Sequence, residues 1–300
     1  MAKRKPRIEG VIPAVMTPLK EDGTMDMAAL ETHIRYLVDA GVDGLFIGGT
    51  TAEGAFLTAE ERKAAFTLAR EVSGEKVTLY VAILRPHTEQ VISELRDFAS
   101  LEPDYAATVT PFYYTISQET ITEHYTTIAS ASDVPLLLYN IPQNTHNPIA
   151  LSTALALAKH TNIVGIKDSS GAFTSFTQGI LTPLDHEFAW IQGEDTLDAA
   201  SLLFGAPGLV TGLGNVWIEP YVEMYQAARS NDMERVKEAQ RKINSLARII
   251  QVSQGAVIPA IKMAAALRGR GNGLMKIHGD TVKPKIRASI EMVLNELGLL

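Results

Sequence analysis

Eight short and almost wholly apolar runs alternate with longer helix-patterned segments from residue 10 to about residue 230, and this rhythm leaves few folds open. The runs cover 12–15, 44–47, 77–83, 105–109, 136–139, 163–166, 188–191 and 209–210. A strand covered by helices on both faces is apolar on both, whereas a half-exposed strand alternates. The intervening segments carry helix signals. Thr58 with Glu61 has the spacing of a capping box ahead of Ala64, Ala65, Leu68 and Ala69. Asp26 opens the stripe Leu30, Ile34, Leu37 and Val38 that Gly41 closes. Eight strand-then-helix units predict an α/β chain, a closed (β/α)8 TIM barrel over 10–230, a fold that takes about 250 residues. A doubly wound open sheet is the alternative. Residues 1–9 read as a basic tail. Residues 231–300 read as a C-terminal helical extension, where Val236, Ala239, Ile243, Leu246 and Ile250 form one stripe and 257–267 and 284–297 two further helices.

Composition narrows the function. Of 300 residues, 27 are Lys or Arg and 34 Asp or Glu, a net charge of -7 that opposes attraction to nucleic acid or an anionic membrane. Neither partner is expected. With no cysteine there is no disulfide framework, thiolate metal site or cysteine nucleophile. No apolar run reaches the ~18 residues of a membrane span, and the basic start has no apolar signal core, so a cytoplasmic location is expected. The histidines at 33, 87, 124, 146, 160, 186 and 278 show no zinc-site spacing. No metal and no cofactor is implied.

In a barrel, functional groups sit where strands end, at the C-terminal rim. Lys167 follows the sixth run, in the strand-end string Val164-Gly-Ile-Lys-Asp168. Burial there disfavours an ammonium, and a neutral amine can attack a ketone and form a Schiff base. Pairing with Asp168 or snorkelling from the strand end is the other reading. Tyr139 ends the fifth run and should lie beside Lys167, about 4.8 Å across the sheet. Its phenol can move a proton, or its ring can simply fill the core. Gly48-Gly-Thr-Thr-Ala-Glu-Gly54 follows the second run and offers backbone and hydroxyl donors for a carboxylate, or else a plain turn. A phosphate loop is disfavoured, because Ala55 and Phe56 stand where it needs Lys and Ser or Thr. Tyr113 and Tyr114 follow Pro111 after the fourth run, as relay groups or as interface aromatics. His146 lies near the same rim. A serine hydrolase would need a Gly-x-Ser-x-Gly elbow, which is missing.

Gly49-Thr-Thr51 with Glu53, Thr110-Pro-Phe-Tyr113, Tyr139-Asn-Ile-Pro142 and Gly165-Ile-Lys-Asp168, in that order and spacing, resemble the dihydrodipicolinate synthase/N-acetylneuraminate lyase family over nearly the whole chain. The resemblance implies a class I aldolase barrel, a homotetramer built as a dimer of dimers, acting on a 2-oxo acid and an aldehyde through a lysine Schiff base. Lys167 would carry that imine and Tyr139 the acid/base phenol. Thr50 would link Tyr139 to Tyr113 of a neighbouring subunit, Gly49 and Thr51 would hold the pyruvate carboxylate, and Gly193 and Val210 would line the pocket.

Departures from the family pattern bear on the substrate. Asn144 stands where the synthases carry a carboxylate-clamping arginine, and a neutral amide does not replace a bidentate cation. Asp195 is followed by Thr196, where sialic acid lyases have a second acid. Ala52 replaces a glycine, and Ala82-Ile-Leu84 replaces Gly-x-Gly, narrowing the pocket and bringing Arg85 to the rim as an anion contact. Ala59, Arg62, Pro86 and Gln90 do not match the feedback-lysine site of some synthases. The preferred reading is a lyase on 2-keto-3-deoxy sugar acids or a similar hydroxylated 2-oxo acid. Its alternatives are dihydrodipicolinate synthase, a metal-dependent aldolase or hydratase on the same barrel, and a non-catalytic ligand-binding barrel.

Overall fold

The computed structural model describes residues 7–277 and 282–300, so most of the basic tail and His278 lie outside the described residues. Its eight strands are β1 Gly10–Pro13, β2 Gly44–Ile47, β3 Thr78–Ile83, β4 Tyr105–Val109, β5 Leu136–Asn140, β6 Ile163–Asp168, β7 Ala189–Gln192 and β8 Gly208–Thr211. They pair in parallel in the order β1-β8-β7-β6-β5-β4-β3-β2. A parallel bridge from Ala14 to Phe46 joins the two outer strands, so the sheet closes into a (β/α)8 barrel and the open-sheet alternative falls. The sixth strand runs past Ile166 because Lys167 and Asp168 stay in the ladder, opposite Tyr139 and Asn140 on one side and Ile191 and Gln192 on the other.

Alternate residues of each strand feed two apolar clusters. Ile12, Phe46, Tyr80, Tyr105, Leu137 and Val210 point into the barrel, while Val11, Leu45, Leu79, Leu138 and Leu209 meet the surrounding helices. Both faces are therefore apolar, which is why the runs do not alternate. The interior is close-packed. A methyl group on Gly165 would come within 2.6 Å of the Ala189 carbonyl.

The helix starts follow the capping chemistry. Thr58 accepts from Glu61 N at 3.1 Å while Glu61 Oε2 accepts from Thr58 N at 2.9 Å, opening the helix Ala59–Ser73. Asp26 accepts from Ala29 N at 3.0 Å and opens Met27–Asp39. Beyond the helix Glu219–Arg229 the chain is helical: Met233–Leu246, Arg248–Val252, Val257–Leu267 and Pro284–Glu296. Val236, Ala239, Ile243 and Leu246 are buried. Helix Val257–Leu267 turns back over the C-terminal mouth of the barrel, where Ile258 and Ile261 form part of the cavity wall. No single helix among the described residues is long and apolar enough to cross a membrane.

Candidate active site

The pairing of β5 with β6 sets Tyr139 directly opposite Lys167. Lys167 is only 4% exposed, and its Nζ lies 3.9 Å from the centre of the Tyr139 ring and 4.5 Å from that of Phe46. Among the described residues no carboxylate lies within ion-pair distance of it, and Asp195 feels its charge only from across the cavity. Asp168 cannot, because successive strand residues face opposite sides; its Oδ1 instead accepts from Ser170 N at 2.8 Å and Asn140 Nδ2 at 3.2 Å. Two aromatic faces hold the amine by cation–π attraction and leave its donors available to a ligand.

The Tyr139 hydroxyl shares a 3.1 Å hydrogen bond with Thr50 Oγ1. Thr50 and Thr51 stand on the turn after β2, which bends tightly over the Phe46 ring. A Cβ at Gly49 would meet Phe46 Cε1 at 2.8 Å, so the turn needs glycine there. Gly49 supports the wall rather than forming it. Thr50, Thr51, Tyr139 and Lys167 all line one cavity of about 740 Å³ at the C-terminal mouth.

Gly193, Asp195, Val210 and Asn144 line the same cavity. Gly193 has no room for a side chain, since a Cβ would lie 2.3 Å from Ser169 Oγ and 3.3 Å from Lys167 Cε. Asp195 Oδ1 accepts from Tyr221 OH at 2.7 Å and from Thr211 Oγ1. Burial pushes the Asp195 carboxyl up to about 6, against the opposing pull of those two hydroxyls. Asn144 is exposed on the wall. Leu84, the bulkier residue after β3, also reaches the cavity.

Besides Gly49, three candidate residues, Arg85, Tyr113 and His146, do not line it. Arg85 is drawn away from the rim: its Nε donates to Glu94 Oε2 at 2.9 Å, and Glu94 also pairs with the buried Arg62. The residue expected as an anion contact is thus engaged with Glu94 and stands outside the cavity lining. Tyr113 is 81% exposed and packs edge-on against Tyr114, with 4.8 Å between ring centres. Its φ of 84° is an outlier for an aromatic residue, and within the chain it does not bond Thr50. His146 is exposed in a left-handed position that ends the turn Pro142–Thr145.

Phe46, Ser169 and the wall contributed by residues 247–277 were not picked out from sequence. Phe46 had a signal: it shares the inward side of β2 with Gly44 and looks like ordinary core. The wall had none, because its contacts join segments some 200 residues apart.

A closed barrel with a buried lysine and a hydroxyl-lined turn around one cavity at its C-terminal mouth defines a (β/α)8 protein with a candidate active site at the ends of β2, β5 and β6. The chain belongs to the Dihydrodipicolinate synthetase family, whose sequence profile matches residues 7–278 and whose members are lyases. An uncharacterised DapA-like lyase of Halobacterium salinarum is 33% identical over 293 residues, 98% of this chain and 95% of its own length. A 4-hydroxy-tetrahydrodipicolinate synthase of Methanospirillum hungatei is 29% identical over 289 residues, 96% of this chain and 98% of its own. Among solved structures, the dihydrodipicolinate synthase of Acinetobacter baumannii complexed with pyruvate superposes with a TM-score of 0.92 at 27% identity, covering 98% of this chain and 100% of that one.

Proposed function

We propose that the protein is a class I lyase that cleaves, or in reverse builds, a hydroxylated 2-oxo acid, with 2-keto-3-deoxy sugar acids as the preferred substrates. The observation that carries this reading is the Lys167 amine, held between two aromatic rings with no carboxylate partner among the described residues and with the Tyr139–Thr50 hydrogen bond beside it. Nζ adds to the C2 carbonyl, water leaves, and an iminium forms. The C4 hydroxyl then gives up its proton, the C3–C4 bond breaks, and its electrons form an enamine as the aldehyde departs. A proton returns to C3, and water hydrolyses the imine to pyruvate and free amine. Tyr139 moves the protons, with Thr50 holding its hydroxyl in place. Thr51 and the backbone of the turn at Gly49 take the carboxylate, while Gly193 and Val210 shape the pocket.

Asp195 supports a hydroxylated substrate, since it lines the cavity and already accepts hydrogen bonds from hydroxyl groups. The 4-hydroxy-tetrahydrodipicolinate synthases among the relatives favour a second reading, condensation of pyruvate with aspartate semialdehyde. Neutral Asn144 speaks against it, because a carboxylate-bearing aldehyde calls for a cation at that place. We further infer a homotetramer in which Tyr113 of a neighbouring subunit completes the relay. Two exposed apolar surfaces support it, one at Tyr113 and Tyr114 and one at Leu203 and Phe204, the latter ring edge-on to the half-buried Phe173. One similar structure, 26% identical with a TM-score of 0.89, is a monomeric dihydrodipicolinate synthase variant, so sedimentation must decide the state of this chain. A cysteine-free chain suits a reducing cytosol.

The test is borohydride reduction with pyruvate followed by peptide mass mapping. A reduced adduct on Lys167 that disappears in Lys167→Ala is the expected result, and no adduct at that residue overturns the reading. A panel of polyhydroxy aldehydes and aspartate semialdehyde then separates the two substrate assignments.

A further inference from the structure

The turn that carries Thr50 and Thr51 is gripped by side chains from the opposite end of the sequence. Glu53 lies in the left-handed region, with φ 57°, where a non-glycine residue stores strain of about 1 kcal/mol or more. It is nevertheless only 5% exposed, and both carboxylate oxygens are engaged by the C-terminal extension. Lys262 Nζ donates to Oε1 at 2.6 Å, and the Lys276 backbone N–H donates to Oε2 at 2.7 Å. Lys262 is 2% exposed on helix Val257–Leu267. Lys276 Nζ in turn pairs with Glu61 and donates to the Gly23 carbonyl at 3.3 Å.

Inside the turn the grip is passed on by short hydrogen bonds. Glu53 N donates to Thr50 O at 2.9 Å, and Gly54 N donates to Gly49 O at 3.0 Å. Gly54 sits so close to the strand end that a Cβ would lie 1.8 Å from Gly48 O, so the turn closes this tightly only with glycine there. Arg62 fixes the far side by donating to Gly54 O at 2.9 Å and Leu57 O at 2.6 Å. Ile261 of the same helix lines the cavity together with Thr51, and both border Gly212, where an added Cβ would lie 3.3 Å from Ile261 Cδ1 and 3.4 Å from Thr51 Oγ1. A buried ion pair is seldom more stabilising than apolar side chains of the same volume, but it fixes geometry by direction and distance. Here the fixed geometry is that of the two threonine hydroxyls.

We propose that Glu53 is a positioning residue through which Lys262 and Lys276 of the C-terminal extension set the placement of Thr50 and Thr51 beside Lys167. The proposal rests on the lyase reading of that site and deepens it, since the extension becomes part of the catalytic apparatus. Displacing catalytic groups by about 1 Å costs on the order of 100-fold in rate, so a shift of a few tenths of an ångström should read as roughly tenfold.

The experiment uses full-length Glu53→Gln, Lys262→Met and the double variant. Pyruvate-dependent kinetics and amide hydrogen exchange over residues 49–57 are measured on each. The expected result is a rise of about tenfold in the KM for pyruvate with a smaller fall in kcat, and faster exchange in 49–57. The double variant should be no worse than the weaker single variant by more than about twofold, because both changes cut one link. Variants that lose melting temperature while keeping KM, kcat and the exchange of 49–57 overturn the proposal, since the pair would then be merely structural. If Glu53→Gln does not accumulate, Lys262→Met alone is read by the same criteria, and Lys262→Gln, which keeps a donor toward Glu53, is expected to return KM and exchange toward the parent's values. Borohydride trapping on the unmodified protein separates the two claims: an unlabelled Lys167 removes the lyase reading, while the exchange comparison still decides whether the extension orders the turn.

Discussion

Replacing Tyr139 with phenylalanine separates proton transfer from packing. The ring is 2% exposed, stands edge-on to Phe46 at 5.9 Å between centres, and lies 3.9 Å from Lys167 Nζ; phenylalanine keeps all three contacts. Only the hydroxyl and its 3.1 Å bond to Thr50 are lost. One hydrogen bond contributes about 1 kcal/mol net, and Thr50, itself only partly buried, can turn its Oγ1 to water in the cavity. For a chain of this size that amounts to a melting shift of about 2 °C. Loss of a positioned acid/base costs ~10²–10⁴ in rate, equivalent to about 3–5 kcal/mol of barrier. The activity loss should therefore exceed the stability loss several-fold. The assays are scanning calorimetry, C3 deuterium exchange of pyruvate, and the rate of borohydride-trapped adduct formation. Exchange within about threefold of the parent protein would refute the acid/base role, and a melting loss beyond about 8 °C would show that the hydroxyl serves the core instead.

Gly193→Ala forces Ser169 Oγ from a 2.3 Å clash and crowds Lys167 Cε at 3.3 Å; adduct formation should fall at least tenfold with a stability loss of about 1–3 kcal/mol, and unchanged trapping kinetics would contradict the packing described. Asp195 has a folded-state value of about 6 against an ordinary 3.8, so its ionised form opposes folding above pH about 6 and that penalty fades as pH falls toward 4. Asp195→Asn should abolish this acid-side gain, together with a rise in KM for hydroxylated substrates below pH about 6; a variant with the parent's KM profile would remove Asp195 from substrate recognition. His33 and His124 are pushed down to about 4 from 6.5 by burial, so the fold loses stability as pH drops from 6.5 to 4, by about 3 kcal/mol for each at the acid end. Urea midpoints of His33→Gln should converge on the parent's as pH falls; parallel curves would sink the assignment.

Much of the site was legible in the residue string because its logic is local. Strand ends fall where apolar runs meet glycine and proline, and neighbouring strand ends in a parallel sheet are a few ångströms apart, which is enough to place Tyr139 beside Lys167. Arg85 shows the limit. Its rim position follows from the strand, but its direction is decided by Glu94, a carboxylate one helix turn or more along the next element that already faces the buried Arg62. Tyr113 shows another limit: its place after the fourth strand is local, but within the subunit it stands in solvent against Tyr114 rather than beside Thr50.

The order of residues, through hydrophobic period and capping chemistry acting over a few positions, determined eight strands, their enclosing helices and the lysine–tyrosine pair. Tertiary structure alone decided that Ala14 meets Phe46 to close the barrel, that Phe46 lies under the Lys167 amine, and that Glu53 is held by Lys262 from 209 residues away. The physical reason is range. Periodicity and caps are fixed by neighbours along the chain, whereas the partner of a buried charge is whichever complementary group the packed fold delivers within hydrogen-bond reach.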